Sequence, residues 1–233
     1  MTFKSSYLFG AVSILEIYAE ISQNHLLRFI CKPLLMLSLM YYYYVTAAKS
    51  FTDRHKLMIV AFFFSWIGDV ALMLVFKNEK LFLVGLLAFL VTHVLYTIAF
   101  NKVEQPDTDP ILPRQLWKVA PLMFYMAALF YFLIPAISVN EKTHGLLMPV
   151  VVYGVVIANM VAFAINRFGR VSIQSYRWVT IGALLFMLSD SIIAINKFLN
   201  PISSASVFIM ILYIAGQFLI AKGILLQQTS STK

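Results

Sequence analysis

Apolar runs of about twenty residues follow one another along the chain with short connections between them, and that is the length that crosses a bilayer as a helix. Eight runs stand out: Tyr7–Ile21, Phe29–Ala48, His55–Phe76, Lys80–Phe100, Leu116–Ile137, Gly145–Asn166, Tyr176–Asn196 and Ser203–Leu225. The first is the weakest, being short and carrying Glu16 and Glu20. It lacks a convincing small-residue cleavage site, so we expect a retained helix rather than a signal peptide. Barrel strands would alternate apolar and polar residues, and these runs are apolar throughout. The fold class expected is therefore all-α: an integral membrane bundle of eight transmembrane helices, with residues 1–233 forming one transmembrane domain.

Composition agrees. The 233 residues are 61% hydrophobic and 12% charged, about half the charged fraction of a soluble domain. The net charge of +8 does not call for nucleic acid, because the basic residues sit between the apolar runs, where they act as topology signals and headgroup contacts. Twelve of the 18 Lys and Arg residues fall on the side that holds both ends of the chain and six on the other. Both termini should then face the cytoplasm, with a bacterial cytoplasmic membrane as the expected host. The single cysteine, Cys31, excludes an internal disulfide framework. The longest connection, Asn101–Arg114, holds three prolines and three acids and reads as an exposed loop. A shift of 121 residues lays Asp69 on Asp190, Lys56 on Arg177 and Thr92 on Tyr213. This echo suggests two four-helix halves inserted the same way up.

Beyond Glu16 and Glu20 of the weak first run, two acids lie inside apolar runs: Asp69 in Phe62–Leu74 and Asp190 in Leu184–Ile193. A carboxylate at the centre of a spanning helix costs roughly 2.5–3.5 kcal/mol, and such residues are functional by default. Asp is too short to snorkel to the headgroups, so each must face a protein interior or a wet cavity. The plainer reading is a helix-packing hydrogen bond or an ion pair with Lys32. Gly68 beside Asp69 permits close helix approach or leaves room for a ligand. His93 and Tyr96 are three apart and share a helix face. Lys32-Pro33 is expected to open the second helix, with Pro33 in its first turn and Lys32 reaching headgroups or a substrate phosphate. Tyr153, Asn196, Tyr213 and Gln217 are polar tips on apolar helices, suited to a cavity or to interhelical hydrogen bonds. No two histidines have metal-ligand spacing on one helix, and no metal or other cofactor is expected.

Several segments together resemble the lysoplasmalogenase family, also called YhhN-like. They are Lys32-Pro33-Leu34-Leu35-Met36, Gly68-Asp69-Val70-Ala71-Leu72-Met73, Phe89 with Thr92-His93 and Tyr96, and Pro149 with Tyr153. The most specific is the run from Gly182 to Phe198, which contains Ser189-Asp190-Ser191, Ala194 and Asn196; Tyr213 and Gln217 follow it. The pieces keep the family's order from the second helix to the last. The resemblance implies an eight-helix membrane hydrolase that cleaves the vinyl ether bond of lysoplasmalogens, releasing a fatty aldehyde and a glycerophospho-alcohol. The implied partners are a lysophospholipid substrate and membrane lipids.

The residues suit that chemistry. Protonation of the alkenyl carbon generates an oxocarbenium ion, water adds, and the hemiacetal collapses. One protonated and one charged carboxyl are needed, as in glycoside hydrolysis. Asp69 and Asp190 are the expected catalytic pair, with Lys32, His93, Tyr96, Tyr153, Ser189, Asn196, Tyr213 and Gln217 as binding or supporting residues. Intramembrane Asp and His also build proton relays, so a proton-coupled transporter is the competing reading, and a structural protein whose aspartates only join helices is a third.

Overall fold

The computed structural model describes residues 2–103, 116–141 and 143–227. Eight α-helices account for most of them: α1 Thr2–Ile21, α2 His25–Ala47, α3 Asp53–Met73, α4 Leu81–Asn101, α5 Ala120–Val139, α6 Leu147–Ile165, α7 Ile173–Phe198 and α8 Ala205–Leu226. Short 3-10 turns at Ala48–Ser50, Leu116–Val119 and His144–Leu146 lie beside them. Among the described residues, seven helices are long and apolar enough to cross a membrane. The exception is α1, which spends Glu16 and Glu20 on a different task. The protein is an all-α, multi-pass membrane protein. Most of the predicted Asn101–Arg114 loop lies outside the described residues.

The chain forms two compact units, divided between Ala99 and Phe100. The first takes α1–α3 and nearly all of α4; the second takes α5–α8. Moving the bounds of α1–α4 on by 121 gives 123–142, 146–168, 174–194 and 202–222, each overlapping the corresponding helix of the second unit. The sequence echo is thus an echo of helix spacing.

In the first unit, α1 and α2 form a hairpin through Ser22-Gln23-Asn24. Gln23 takes a left-handed φ of 52°, which reverses the chain in three residues. The Asn24 side chain then accepts from the Leu27 N–H at 3.0 Å and caps α2. This corrects the expected start of the second helix: Pro33 lies two turns inside α2. The Asn24 cap, invisible to hydropathy, nucleates the helix earlier, and Pro33, lacking an N–H, leaves out the helix bond to the Phe29 carbonyl. Helices α3 and α4 approach closely. A Cβ on Gly68 would meet the Phe89 ring at 2.6 Å, and one on Gly85 would meet Leu72 at 2.7 Å. Gly68 therefore serves packing; the space it leaves is filled by Phe89.

In the second unit, α7 and α8 pack backbone to backbone. A Cβ on Gly182 would lie 2.8 Å from the Gly216 carbonyl, and one on Gly216 would lie 2.9 Å from the Gly182 carbonyl. Small residues allow this in a bilayer, where dispersion rather than water drives helix association. Helices α5, α6 and α7 close around Leu133, Ile137 and Val150, with Phe198 and Leu199 against them.

Candidate functional site

Asp190 sits in α7, half-buried, and its Oδ2 accepts the Tyr153 hydroxyl of α6 at 2.5 Å. Both line a narrow cleft walled by Met126, Phe130, Ile157 and Met187, with about 40 Å³ of room for water-sized contents. A water needs about 10–15 Å³ by that measure, so a few waters or a thin alkyl segment fit beside the carboxyl. Apart from Ser191, whose hydroxyl donates to the Met187 carbonyl, the rest of the lining is apolar, which strengthens any charge interaction made there. Sequence alone offered Tyr153 as one of several polar tips; the structure brings it to Asp190 across 37 residues of chain.

The other predicted residues of this unit are held differently. Ser189 donates to the Ile209 carbonyl at 3.0 Å, joining α7 to α8. The Asn196 Oδ1 accepts from the Ile202 N–H at 2.8 Å and braces the turn between those helices. Tyr213 is buried edge-on against Phe186, centroids 5.3 Å apart. Gln217 is also buried. The Gly182–Gly216 and Ser189–Ile209 contacts set the register of α7 on α8. By that register Gln217 stands level with residue 181, about 13 Å of helix rise from Asp190.

In the first unit, Asp69 is buried one turn before the end of α3. The α3–α4 contact beside it is polar at one level: the Thr92 hydroxyl lies 3.2 Å from the Ser65 hydroxyl and 3.2 Å from both the Ala61 carbonyl of α3 and the Ala88 carbonyl of its own helix. His93 and Tyr96 are both fully buried, and Tyr96 packs edge-on against Phe62. The Ser65–Thr92 and Gly68–Phe89 contacts place His93 level with residue 64, about 7 Å of rise from Asp69.

A charged cluster lies where sequence reading saw only a weak helix. Glu16 and Glu20 of α1 are buried. The Glu20 Oε1 lies 3.0 Å from the Arg28 Nε and 3.8 Å from the Lys32 Nζ of α2. The Arg28 contact is close enough for ion pairing, but its N–H is not aligned as a hydrogen bond. Among the described residues, neither oxygen of Glu16 has a hydrogen-bond partner. A signal was present. Residues 20 and 28, and residues 16 and 32, are equidistant from the Asn24 turn, so an antiparallel hairpin sets acids against bases at helical spacing. A cavity of about 570 Å³ opens beside the cluster, lined by His25, Arg28, Phe29, Leu72, Met73 and Phe76. Among the described residues, no three His, Cys, Asp or Glu side chains cluster as metal ligands would.

Comparison with known proteins places the chain. The YhhN family model matches residues 27–224. Lysoplasmalogenase TMEM86A of Bos taurus is 34% identical over 169 residues, which cover 70% of this chain and 63% of that protein. The Homo sapiens protein of the same name is 30% identical over 168 residues with the same coverage. Lysoplasmalogenase TMEM86B of Sus scrofa is 31% identical over 157 residues, 67% of this chain and 58% of that protein. The chain thus spans less than two thirds of the length of these curated relatives. No solved structure matches it. With a match that runs from the start of α2 nearly to the end of α8, the chain belongs to the YhhN family.

Proposed function

We propose that this protein is a membrane-embedded hydrolase that cleaves the vinyl ether bond of lysoplasmalogens, giving a fatty aldehyde and a glycerophospho-alcohol. The observation that carries the reading is the Asp190 carboxyl, held by Tyr153 in an apolar cleft, in a chain whose curated relatives are named lysoplasmalogenases.

The reaction needs a proton delivered to carbon and a water delivered to the resulting cation. We assign the proton to Asp69 and the water to Asp190. Asp69 is buried in α3, where few waters compete for its proton. Asp190 borders the cleft with room for water, and Tyr153 fixes the direction of its carboxyl. Protonation of the alkenyl carbon moves the double-bond electrons into a bond to hydrogen and leaves an oxocarbenium ion. Water adds to that ion and gives up a proton. The hemiacetal then breaks its bond to the glycerol oxygen, which takes a proton and leaves as an alcohol. One water is consumed and the acid is regenerated. His93 and Tyr96 support the Asp69 side through packing; Ser189, Asn196, Tyr213 and Gln217 hold the helices that carry Asp190. Lys32 adds positive charge near the end of the membrane span for the substrate phosphate. Both termini face the cytoplasm in this reading, in a bacterial cytoplasmic membrane.

Purified protein in detergent, given a lysoplasmalogen in heavy water, should release aldehyde carrying one deuterium on the carbon next to the carbonyl. Rapid reduction to the alcohol and mass spectrometry would read the label. A transporter or a structural protein would release no aldehyde. Aldehyde without the label would mean that bond cleavage does not begin by protonating carbon.

A further inference from the structure

We propose that the cavity between the start of α2 and the end of α3 binds the phosphate headgroup of a single-chain phospholipid, with Arg28 and His25 on the phosphate. The proposal rests on the hydrolase reading for the identity of the lipid, but its binding test runs without turnover.

The chemistry of the walls is that of an amphiphile. Arg28 and His25 lie at the α2 side, while Phe29, Leu72, Met73 and Phe76 supply the rest of the lining. The volume of about 570 Å³ falls in the range of small-molecule sites. A guanidinium presents five N–H donors in a planar fork that matches a phosphate. Contact with Glu20 uses the Nε of Arg28 and leaves the terminal nitrogens for another acceptor. The Glu20 side chain is fully shielded from solvent while 30% of the Arg28 side chain is open. A carboxylate that cannot be reached from outside thus aims a guanidinium that can. Lys32, with 14% of its side chain open, lies near the same Glu20 oxygen and offsets the charge that Glu20 would otherwise set against an incoming anion.

Spacing supplies an independent argument. Leu72 and Met73 stand three and four residues beyond Asp69, on the same face of α3. One turn of helix rises about 5.4 Å. In a lysoplasmalogen the phosphorus is five bonds from the alkenyl ether oxygen, about 6 Å when extended at ordinary bond lengths. A phosphate held in the cavity therefore sets the vinyl ether at the level of Asp69, with the hydrocarbon chain running onward.

The test is equilibrium binding to the purified full chain. The probe is a saturated 1-alkyl lysophosphatidylethanolamine, which has no vinyl ether to cleave. Comparison ligands are the matching 1-alkylglycerol, glycerophosphoethanolamine and inorganic phosphate. Arg28→Gln should weaken the lysophospholipid roughly 10-fold or more, the scale of a hydrogen bond to a charged group, and leave the alkylglycerol unchanged. His25→Gln should weaken it less. Met73→Trp, which narrows the cavity without touching a charge, should weaken it too, and it decides the matter if Arg28→Gln fails to fold. Equal losses for the alkylglycerol in Arg28→Gln would overturn the proposal in favour of packing. Inorganic phosphate binding as tightly as the lipid would make the site one for a free anion. An unchanged Kd in Met73→Trp would remove the cavity from binding altogether. The two readings fail separately. Binding as described without aldehyde release would leave the site and sink the hydrolase; aldehyde release with Arg28→Gln unchanged in Kd would do the reverse.

Discussion

In residues 2–99 buried charge meets charge of the opposite sign, Glu20 against Arg28 and Lys32 at 3.0 and 3.8 Å. In residues 100–227 the fully buried Arg167 is met by neutral oxygens. It donates to the Ser175 hydroxyl at 2.8 Å, the Gln227 amide oxygen at 3.0 Å and the Phe100 carbonyl at 3.4 Å. Gln227 in turn donates to the Lys102 carbonyl, and Ser175 to the Gly223 carbonyl. The first arrangement joins two neighbouring helices across a short turn. The second gathers the ends of α4 and α6, the start of α7 and the end of α8 around one guanidinium. The aspartates differ in exposure: Asp69 is buried, whereas Asp190 is half-buried and borders a cleft beside Tyr153. The difference teaches that a polar group inside a membrane bundle can be satisfied by local register or by distant convergence, and that only the first leaves a mark in the sequence.

The sharpest way to break the comparison is to neutralise each aspartate without changing its shape. Asp69→Asn and Asp190→Asn should each lower turnover by about 100-fold or more, the scale of acid–base catalysis, with the thermal unfolding midpoint little changed. Near-normal aldehyde release by either variant would end the two-carboxylate assignment. Next comes Arg167→Met, which leaves several buried oxygens short of a donor. It should lower stability by about 2–3 kcal/mol, measured by reversible unfolding in mixed micelles; a loss below about 0.5 kcal/mol would show that the neutral oxygens do not need the guanidinium. Tyr153→Phe keeps the ring and removes the bond to Asp190. Turnover should fall about tenfold, or roughly 1.4 kcal/mol in barrier, while affinity for a saturated lysophospholipid stays constant. A loss of affinity instead would make Tyr153 a binding group. Smallest is Glu20→Gln. Arg28 is near enough to the surface to regain water, so the stability cost should be about 1 kcal/mol; a cost above that of Arg167→Met would invert the comparison.

Much of the fold was legible. Each predicted run overlaps one observed helix, and the largest errors are at helix starts, where Thr2, His25 and Ala120 begin α-helices expected at Tyr7, Phe29 and Leu116. Hydropathy sees apolar side chains and misses a capping asparagine. The site was legible in part. Asp69 and Asp190 announced themselves by the cost of a carboxyl in an apolar run, but Tyr153 did not stand out from Asn196, Tyr213 and Gln217. Arg167 directly follows the sixth apolar run, among the basic residues that serve as topology signals between runs, yet it is fully buried. Glu16 and Glu20 read as flaws in a weak helix, although their spacing against Lys32 and Arg28 about Asn24 carried the information.

What the amino-acid sequence determined by itself was the class of solvent and the local structure. Whether a segment of twenty residues prefers hydrocarbon is a sum over its own side chains, and in hydrocarbon its backbone must bond to itself as a helix. What only the tertiary structure decided was which polar groups meet: Tyr153 with Asp190, Arg167 with Ser175 and Gln227, and the cavity between the start of α2 and the end of α3. Those meetings depend on how far one helix slides and turns against another. Close contacts at Gly68, Gly182 and Gly216 set that slide, and it is a property of pairs of helices that no single segment contains.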